Sequence, residues 1–371
     1  MLSIYIHIPF CLRKCDYCSF VSLDSVSEES KIRYLKNLQK EITLYSKTEQ
    51  NKNVKSIFIG GGTPTTLTTK QIFSLIECVK NNFDVSNDAE ITIEANPSTN
   101  IDFENLRKIG FNRISIGIQS FNDAELNFLG RLHSSDLGLK NIKIAQHYFE
   151  NINIDLIYSV PNQTLDSLKY TLQKAIELDL KHISAYSLIY ENETKLSEQL
   201  SQNKIIPINE ELDFAMYMLI CSELEKHDLQ QYEVSNFAKN GFECKHNLNY
   251  WERENDLDSG NYLGFGLAAH SLYANKRFNN YSDFSLYCSS LEEVQSPIEN
   301  VEFLDLAQEK EEKIFLGLRS TGVDLSVFNE KQLNTIKEII KLNYGEIKNN
   351  KIILNSRGKF ICDEIVLKLI G

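Results

Sequence analysis

The chain carries the apolar segment SIYIHIPF at residues 3–10, followed at once by CLRKCDYC at residues 11–18. The first segment has the composition of a buried strand, and the second is the loop into which that strand leads. Three cysteines, Cys11, Cys15 and Cys18, fall within this loop. Thiolates this close must converge on a common ligand, and soft sulfur donors select iron–sulfur clusters, zinc or copper(I). The segment therefore predicts a metal centre at the end of the first strand.

The spacing of the cysteines favours one kind of metal centre. Zinc usually takes four protein ligands, often as two separated pairs, and no second cysteine pair occurs in the sequence. Three thiolates suit a [4Fe–4S] cluster in which one iron stays open to a ligand from outside the protein. Arg13 and Lys14 place positive charge beside the thiols, which favours their deprotonated form. A structural zinc loop and a reduced loop without metal are the alternatives.

Composition restricts the class of protein. The chain has 371 residues, of which 42% are hydrophobic and 24% charged, as in a globular protein with a large core. The formal net charge of −12 argues against nucleic acid as a partner, because a phosphate backbone needs a basic surface. No segment has the length of a membrane span, and the N-terminal run is not a signal peptide. The remaining cysteines are scattered, unlike a secreted disulfide framework, so we expect a cytoplasmic location.

The first half of the chain alternates between two patterns. Apolar runs rich in β-branched residues predict strands at Ile4–Ile8, Val54–Ile59, Ile91–Ala95, Arg113–Ile118, Ile152–Tyr158 and His182–Ile189. Helical periodicity covers Lys31–Tyr45, Lys70–Phe83, Asp136–Phe149 and Thr164–Leu178. Repeated strand–helix–strand units predict an α/β fold with a parallel sheet. Six units suit a partial barrel better than an eight-stranded one, and a doubly wound sheet is the alternative.

The alternation stops after Glu191. One helix is predicted over Glu210–His227, and mixed strand and loop sequence follows to about Ser290. The remaining segments predict helices over Glu302–Leu318, Glu330–Leu342 and Lys359–Ile370, with a hairpin over Gly345–Leu354 that turns at Asn349 and Asn350. This order suggests a small, winged-helix-like C-terminal domain. We place the domains at residues 1–230, 231–298 and 299–371.

Polar residues stand at the ends of the predicted strands, where parallel α/β folds collect their ligands. The second strand ends in Gly60-Gly61-Gly62-Thr63-Pro64, whose glycines let the backbone approach a ligand closely. Later strands lead to Glu94, Gln119, Arg131 and Asp155, and Tyr5 shares a face of the first strand with His7. Each of these side chains is also compatible with a hydrogen-bonded core group. Together they predict the wall of a polar-ligand pocket above the cluster.

Several sequence blocks resemble the radical S-adenosylmethionine (SAM) proteins. Within them, the chain is similar to the group of oxygen-independent coproporphyrinogen oxidases and their relatives, the HemW-type heme chaperones. The similarity covers nearly the whole chain. Besides the glycine run, it rests on YIHIPFC (5–11), EANP (94–97), SIGIQSF (115–121), LGR (129–131), NIDLIY (153–158), YEVSNFA (232–238) and HNLNYW (246–251).

The resemblance implies a fold and two cofactors. The fold is a partial (β/α)6 radical SAM barrel with a mixed extension and a small helical C-terminal domain. Cys11, Cys15 and Cys18 would bind a [4Fe–4S] cluster, and SAM would chelate its open iron. The SAM region would be lined by Tyr5, Gly61, Gly62, Thr63, Glu94, Gln119, Arg131 and Asp155.

Two departures distinguish this chain from the oxidases. The oxidases have a further cysteine two residues after the third, where this chain has Phe20. They also carry a substantial extension before the first strand, whereas the first strand here begins at once. Both differences favour the chaperone branch.

The segment from Cys244 to Trp251 resembles the H-N-x-x-Y-W signature of the chaperones. It implies heme binding by His246 or Cys244, with Tyr250 and Trp251 covering a porphyrin face. A hydrogen-bonded core histidine is the alternative, and His270 is a second candidate histidine.

The predicted function is that of a heme chaperone rather than an enzyme. It would bind a [4Fe–4S] cluster, SAM and heme, and would transfer heme to an acceptor apo-protein. The alternative is an oxygen-independent coproporphyrinogen III oxidase, which decarboxylates its substrate to protoporphyrinogen IX and would share the cluster and the SAM pocket.

Overall fold

Six parallel strands lie side by side in chain order at the centre of the structure, a computed structural model that describes residues 2–48, 52–251 and 260–371. We name them β1 (Leu2–Ile8), β2 (Asn53–Gly61), β3 (Asp84–Ala95), β4 (Arg113–Gln119), β5 (Asn151–Tyr158) and β6 (His182–Ser187). Every neighbouring pair is parallel. Sequential order without a reversal is that of a partial (β/α)6 barrel and not of a doubly wound sheet. The predicted fold class is therefore confirmed.

The two faces of these strands differ in chemistry. In β1 the side chains of Ile4, Ile6 and Ile8 are fully buried in the main hydrophobic core. Ser3, Tyr5 and His7 alternate with them and therefore point to the opposite side of the sheet. Because the helices cover the apolar side, the polar side lines the barrel interior. The barrel interior therefore presents polar side chains that are able to bind a polar ligand.

Helices cover the apolar face of the barrel. Those between the strands are Glu28–Thr48, Thr69–Asn82, Phe103–Ile109, Asp123–Phe128, Ser135–Ala145 and Leu165–Glu177, and Lys195–Ser201 and Glu210–Glu225 follow β6. The helix Thr69–Asn82 shows why they form where they do. Thr68 caps it through a capping box with Gln71, and Ile72, Leu75, Ile76 and Val79 form its buried stripe. Burial of each such side chain contributes roughly 1.5–3 kcal/mol.

The sheet continues beyond the barrel on both sides. Next to β1 lie Tyr262–Phe265, His270–Tyr273, Lys276–Asn280 and Ile298–Phe303, and next to β6 lie Asn236–Ala238 and Gln230–Gln231. The helices Lys245–Trp251 and Phe284–Glu292 accompany this extension. The strand Ile298–Phe303 corrects the helix predicted from Glu302. That helix begins only at Leu306, where Asp305 caps it.

The C-terminal region has its own small core. It contains the helices Leu306–Arg319, Glu330–Lys341, Ser356–Phe360 and Cys362–Ile370, and the strands Val323–Asp324, Gly345–Lys348 and Lys351–Leu354. The last helix was predicted from Lys359, but it begins at Cys362 after a separate short helix. The core of the C-terminal region includes the side chains of Ile314, Ile336, Ile352 and Ile365. The region is winged-helix-like, as expected, whereas the exact domain boundaries stay predictions.

No helix in the described part of the chain combines the length and apolarity that crossing a bilayer requires.

Candidate cluster and cofactor site

The loop that carries the three cysteines is held at its base and near its tip. At the base, Phe10–Cys11 pairs in parallel with Leu23–Asp24. Near the tip, the backbone N–H of Asp16 donates to the carbonyl of Leu129 at 3.3 Å, and its carbonyl accepts from the N–H of Leu196 at 3.0 Å. The path of the loop is therefore set by contacts within the chain itself.

All three thiols line one cavity of about 370 Å³. Burial raises the pKa of Cys11 and of Cys18, and the Thr63 hydroxyl, 3.7 Å from the Cys11 sulfur, partly offsets this for Cys11. The Arg131 guanidinium donates to the Cys15 sulfur at 3.4 Å. Three thiols that face a common cavity beside a fixed cation form a donor set suited to an iron–sulfur cluster.

The thiols are not arranged around a single ion. Among residues 2–48, 52–251 and 260–371, no three His, Cys, Asp or Glu side chains come close enough to hold one metal ion. In a cubane cluster each thiolate binds a different iron, so the sulfur ligands stand farther apart than ligands that share one ion. The described residues thus hold no ready-made site for a single ion, and a cluster at the three cysteines stays the prediction made from their spacing.

The glycine turn after β2 packs directly against the start of the cysteine loop. The N–H of Gly62 donates to the carbonyl of Ile8 at 2.9 Å, and that of Thr63 to the carbonyl of Phe10 at 2.8 Å. A Cβ at Gly62 would lie 2.9 Å from the Phe10 carbonyl oxygen, and Gly61 has φ +108°. Glycine is thus required at both positions, at one for space and at the other for its backbone conformation.

Two half-buried carboxylates, Glu94 and Asp155, form one wall of the cavity. Glu94 accepts a hydrogen bond from the N–H of Gly61 at 3.1 Å, and Asp155 accepts from Ser115 at 3.0 Å and Asn153 at 2.9 Å. Burial, followed by repulsion from Asp155, raises the pKa of Glu94 to about 8. Burial also raises the pKa of Asp155. The wall therefore holds a proton near neutral pH and is able to donate as well as accept.

Gln119 and Arg131 complete the cavity lining. Gln119 ends β4 with φ +68°, where the register with β5 shifts. A non-glycine residue in this conformation costs about 1 kcal/mol or more and is often found at functional sites. Arg131 donates to the Gly117 carbonyl at 2.6 Å, and its buried Nε has no partner in the described chain. A buried donor without a partner is the kind of group that a polar ligand would satisfy.

Tyr5 lies in a second chamber, of about 220 Å³, rather than in the main cavity. Its hydroxyl is hydrogen-bonded to Nδ1 of His7 at 3.0 Å. The two spaces adjoin, and we call the second one the inner chamber; both are lined by Phe20, Gly61, Glu94, Ser115, Asp155 and Tyr186. Tyr5 thus lies with Gly61, Glu94 and Asp155 on the inner chamber, and the other predicted cluster and SAM residues line the main cavity.

His246 faces the inner chamber, but both of its ring nitrogens have partners. Nδ1 is hydrogen-bonded to the Ser56 hydroxyl and Nε2 to the Tyr250 hydroxyl, each at 3.0 Å. The side chain is only 2% exposed, and burial lowers its pKa to about 3, so the ring is neutral. Tyr250 lines the same chamber. The arrangement is that of a hydrogen-bonded core histidine, which was the alternative in the sequence analysis.

The other heme candidates lie outside the chamber. Cys244 is fully buried, its thiol donates to Glu90 at 3.3 Å, and burial raises its pKa to about 12. Glu90 also accepts from the N–H groups of Lys245 and His246, so it fixes the start of their helix. Trp251 is half-buried at the other end of that helix. His270 is exposed on the extension of the sheet.

Sequence reasoning missed part of the cavity lining. Phe20 and Ile189, each 64% exposed, line the cavity together with Tyr17, Tyr186 and Leu188. In sequence, Phe20 distinguishes two branches of the family, and Ile189 ends the last apolar run, but neither property marks a residue as part of a cavity. Arg113, which is 2% exposed, lines the inner chamber. An arginine at the head of a buried strand was a signal that the sequence did offer.

Comparisons with known proteins agree with this geometry. The family model described as the Radical SAM superfamily matches residues 5–175. The heme chaperone HemW of Bacillus subtilis (strain 168) is 34% identical over 386 aligned positions that cover 100% of both chains. HemW of Lactococcus lactis subsp. lactis (strain IL1403) is 33% identical over 96% of this chain and 91% of its own.

The fold has a close counterpart among solved structures. Coproporphyrinogen III oxidase (HemN) from Escherichia coli, described as a radical SAM enzyme, superposes with a TM-score of 0.85 at 23% identity, covering 100% of this chain and 90% of that one. This structural similarity shows a shared fold, whereas the two full-length sequence matches show the family to which the chain belongs. The chain therefore belongs to the radical SAM superfamily and, within it, to the family that unites the HemW proteins with the oxygen-independent coproporphyrinogen oxidases.

Proposed function

We propose that this protein is a heme chaperone that binds a [4Fe–4S] cluster, SAM and heme, and passes heme to an acceptor apo-protein. The observation that carries the proposal is the mouth of the cluster cavity. Three thiols face it, and the position at which the oxidases have a further cysteine is taken by Phe20, 64% exposed. An exposed aromatic ring at a cavity mouth suits the binding of a flat apolar ligand.

The residues present fit the two cofactors that the family implies. Cys11, Cys15 and Cys18 would hold the cluster, and the unsatisfied Nε of Arg131 and the turn at Gly61 and Gly62 would receive the polar groups of SAM. When bound, the cluster and SAM supply the means for radical chemistry. The chain contributes positioning, enclosure and the fixed positive charge beside Cys15.

Heme binding by His246 would require a local rearrangement. The inner chamber, at about 220 Å³, is smaller than typical ligand pockets of roughly 300–1,000 Å³. Either nitrogen of His246 would also have to give up a hydrogen bond before it could bind iron. Heme ligation at this histidine would therefore require the Ser56 or the Tyr250 hydroxyl to move away from the ring. Cys244 would in addition have to leave Glu90.

The cavity mouth offers a second seat for heme without such a movement. Phe20 and Ile189 stand exposed there, and Ile157 and Leu188 add to the apolar lining. Contact with these side chains would hold a tetrapyrrole by its face, and the iron would keep a position free for a residue of the acceptor. This arrangement suits a carrier that must release its cargo.

Heme titration of anaerobically reconstituted protein tests the proposal. Wild type is compared with His246→Ala, with Ile189→Ser, which alters the main cavity only, and with the control Phe73→Ser, an exposed phenylalanine of the helix Thr69–Asn82 that lines neither space. We expect stoichiometric binding by wild type and by the control. A loss of roughly tenfold or more in one of the other variants identifies the seat, because tenfold corresponds to about 1.4 kcal/mol. Saturable binding by none of the proteins would refute the proposal.

The oxidase function remains the second candidate, because the shared fold and the thiol cavity serve it equally. An anaerobic assay of the reduced, reconstituted protein with coproporphyrinogen III decides between the two. We expect no protoporphyrinogen IX above trace amounts, and turnover would overturn the chaperone assignment. Transfer of bound heme to apomyoglobin, used as a general acceptor, then measures the carrier function.

Cysteine thiols that are not joined in disulfides persist in a reducing compartment, which supports a cytoplasmic location.

A further inference from the structure

The strand Ile298–Phe303 forms one margin of the twelve-stranded sheet that the described residues build. It pairs antiparallel with Lys276–Asn280, and no described residue pairs with its other side. Five of its six residues are exposed. An open margin presents unpaired backbone groups and is a template for the addition of another strand.

The register of the ladder shows which backbone groups are free to pair. The N–H of Leu304 donates to the carbonyl of Asn275, and Glu302 stands opposite Arg277 two residues further along. Hydrogen-bonded pairs alternate with non-hydrogen-bonded pairs in an antiparallel ladder. Leu304 and Glu302 are therefore bonded inward, and the backbone groups of Val301 and Phe303 point outward. An added strand would bond to these two residues.

One face of this strand is apolar and partly uncovered. Val301 stands opposite Phe278, which is buried and stacked on Tyr45 of the helix Glu28–Thr48 at 5.9 Å between ring centroids. The helix Glu28–Thr48 covers Phe278 but not the strand beyond it, and the side chains of Val301 and Phe303 are 47% and 74% exposed. The strand thus carries the apolar face of the sheet into solvent, where an apolar side chain of an added strand would find contacts.

The other face opens on an acidic groove of about 340 Å³. The groove is lined by Glu302 and, on the helix Leu306–Arg319, by Glu311 and Glu312. Arg277 pairs with Glu302 at 3.4 Å and also with Glu312. Glu311 is exposed on the same groove, and a basic side chain from an added strand would lie beside its carboxylate.

We propose that this margin binds an extended segment of a partner protein in which apolar and basic residues alternate. Backbone hydrogen bonds to Val301 and Phe303 supply the affinity, and the two chemically different faces supply the specificity. A second copy of this chain fits poorly, because its own strand Ile298–Phe303 carries Glu299 and Glu302 and no basic residue to place in the acidic groove. The surface is independent of the cluster cavity, so its test does not depend on the proposed function.

The probe is a fluorescently labelled peptide of about six residues, the usual length of a strand, in which valine alternates with lysine. One matched peptide has glutamate in place of lysine, and another has proline in place of valine. We expect the full-length protein to bind the first peptide saturably and the other two much more weakly. Fluorescence anisotropy measures the three affinities, and sedimentation of the protein alone reports self-association.

Two variants test the two parts of the proposal. Val301→Pro removes an outward N–H at a position where a marginal strand tolerates proline, and Glu311→Lys reverses a charge in the groove. Each should weaken binding roughly tenfold, the effect of losing one favourable polar interaction. The control Glu338→Lys makes the same charge change on the exposed side of the helix Glu330–Lys341 and should leave binding unchanged.

Four results would overturn the proposal. They are no saturable binding of the valine–lysine peptide, equal binding of the valine–glutamate peptide, undiminished binding by both Val301→Pro and Glu311→Lys, and self-association that Val301→Pro abolishes. Far-UV circular dichroism verifies that each variant is folded. Should Val301→Pro fail to fold, Glu311→Lys alone still decides whether the groove takes part.

Discussion

Replacement of Glu94 by glutamine tests the electrostatics of the cavity wall. Burial, and then repulsion from Asp155, raise the pKa of Glu94 from 4.5 to about 8. Glutamine has nearly the same shape, and its carbonyl oxygen can still accept the hydrogen bond that Gly61 donates to Glu94 at 3.1 Å. The substitution therefore removes the titration and largely preserves the geometry.

The sign of the effect follows from proton linkage. The folded pKa of Glu94 lies above the unfolded value, so the folded state binds more protons between pH 4.5 and about 8. The corresponding stability is complete below pH 4.5 and is lost as the pH rises toward 8. At about 1.4 kcal/mol per pH unit, the full loss is at most about 5 kcal/mol. Glu94→Gln does not suffer this loss and should be the more stable protein at alkaline pH. A smaller slope remains, because burial also raises the pKa of Asp155.

Urea unfolding of cluster-free protein, followed by circular dichroism at both ends of this pH window, measures the difference. The control is Glu292→Gln. Arg33 lowers the pKa of Glu292 to about 2 by a hydrogen bond at the surface, so its neutralisation should reduce stability at neutral pH instead of increasing it. If wild type and Glu94→Gln show the same dependence on pH, or if the variant is the less stable at alkaline pH, the account of the wall is wrong.

Three further predictions concern the loop, the glycine turn and the C-terminal core. Cys15→Ala should prevent cluster assembly on anaerobic incubation with iron and sulfide but leave the far-UV circular dichroism unchanged; an insoluble variant would contradict this. Gly62→Ala brings a Cβ to 2.9 Å from the Phe10 carbonyl oxygen and should lower the free energy of unfolding by about 1–3 kcal/mol, whereas Gly138→Ala, in a helix where the nearest atom is the side-chain Cδ1 of Ile118 at 3.2 Å, should cost less. Ile336→Ala, in the C-terminal core, should cost about 2–5 kcal/mol, and a separate shifted transition would support the proposed domain boundary.

Local patterns were sufficient to predict the parallel sheet, whereas the choice of a partial barrel over a doubly wound sheet came from the family resemblance. Alternation in β1 separates Ile4, Ile6 and Ile8 from Tyr5 and His7, and this property of six short runs is what assembles a parallel sheet with a polar interior. The helix Thr69–Asn82 was predicted to within one residue at each end, because its capping box and its apolar stripe are both local signals.

Features that depend on distant partners were not predictable in this way. The strand Ile298–Phe303 forms because Lys276–Asn280 lies beside it, and nothing in its own residues marks it as a strand. His246 resembled a heme ligand, but Ser56, which is 190 residues away in sequence, holds its ring. The division of the interior into two adjoining spaces was not predictable either, since Tyr5 and His246 meet in the inner chamber from strands and helices far apart in sequence.

The anchoring of the cysteine loop determines how a metal centre can be loaded and replaced. Fixing the backbone of a flexible segment costs roughly 1–2 kcal/mol per residue. For this loop the cost is met during folding, through the pairing of Phe10–Cys11 with Leu23–Asp24 and the bonds of Asp16. Loading of the proposed cluster with iron and sulfide would then require little further ordering of the chain. A damaged cluster at this site would accordingly be rebuilt in a molecule that stays folded, from a supply of iron and sulfide rather than from a new protein.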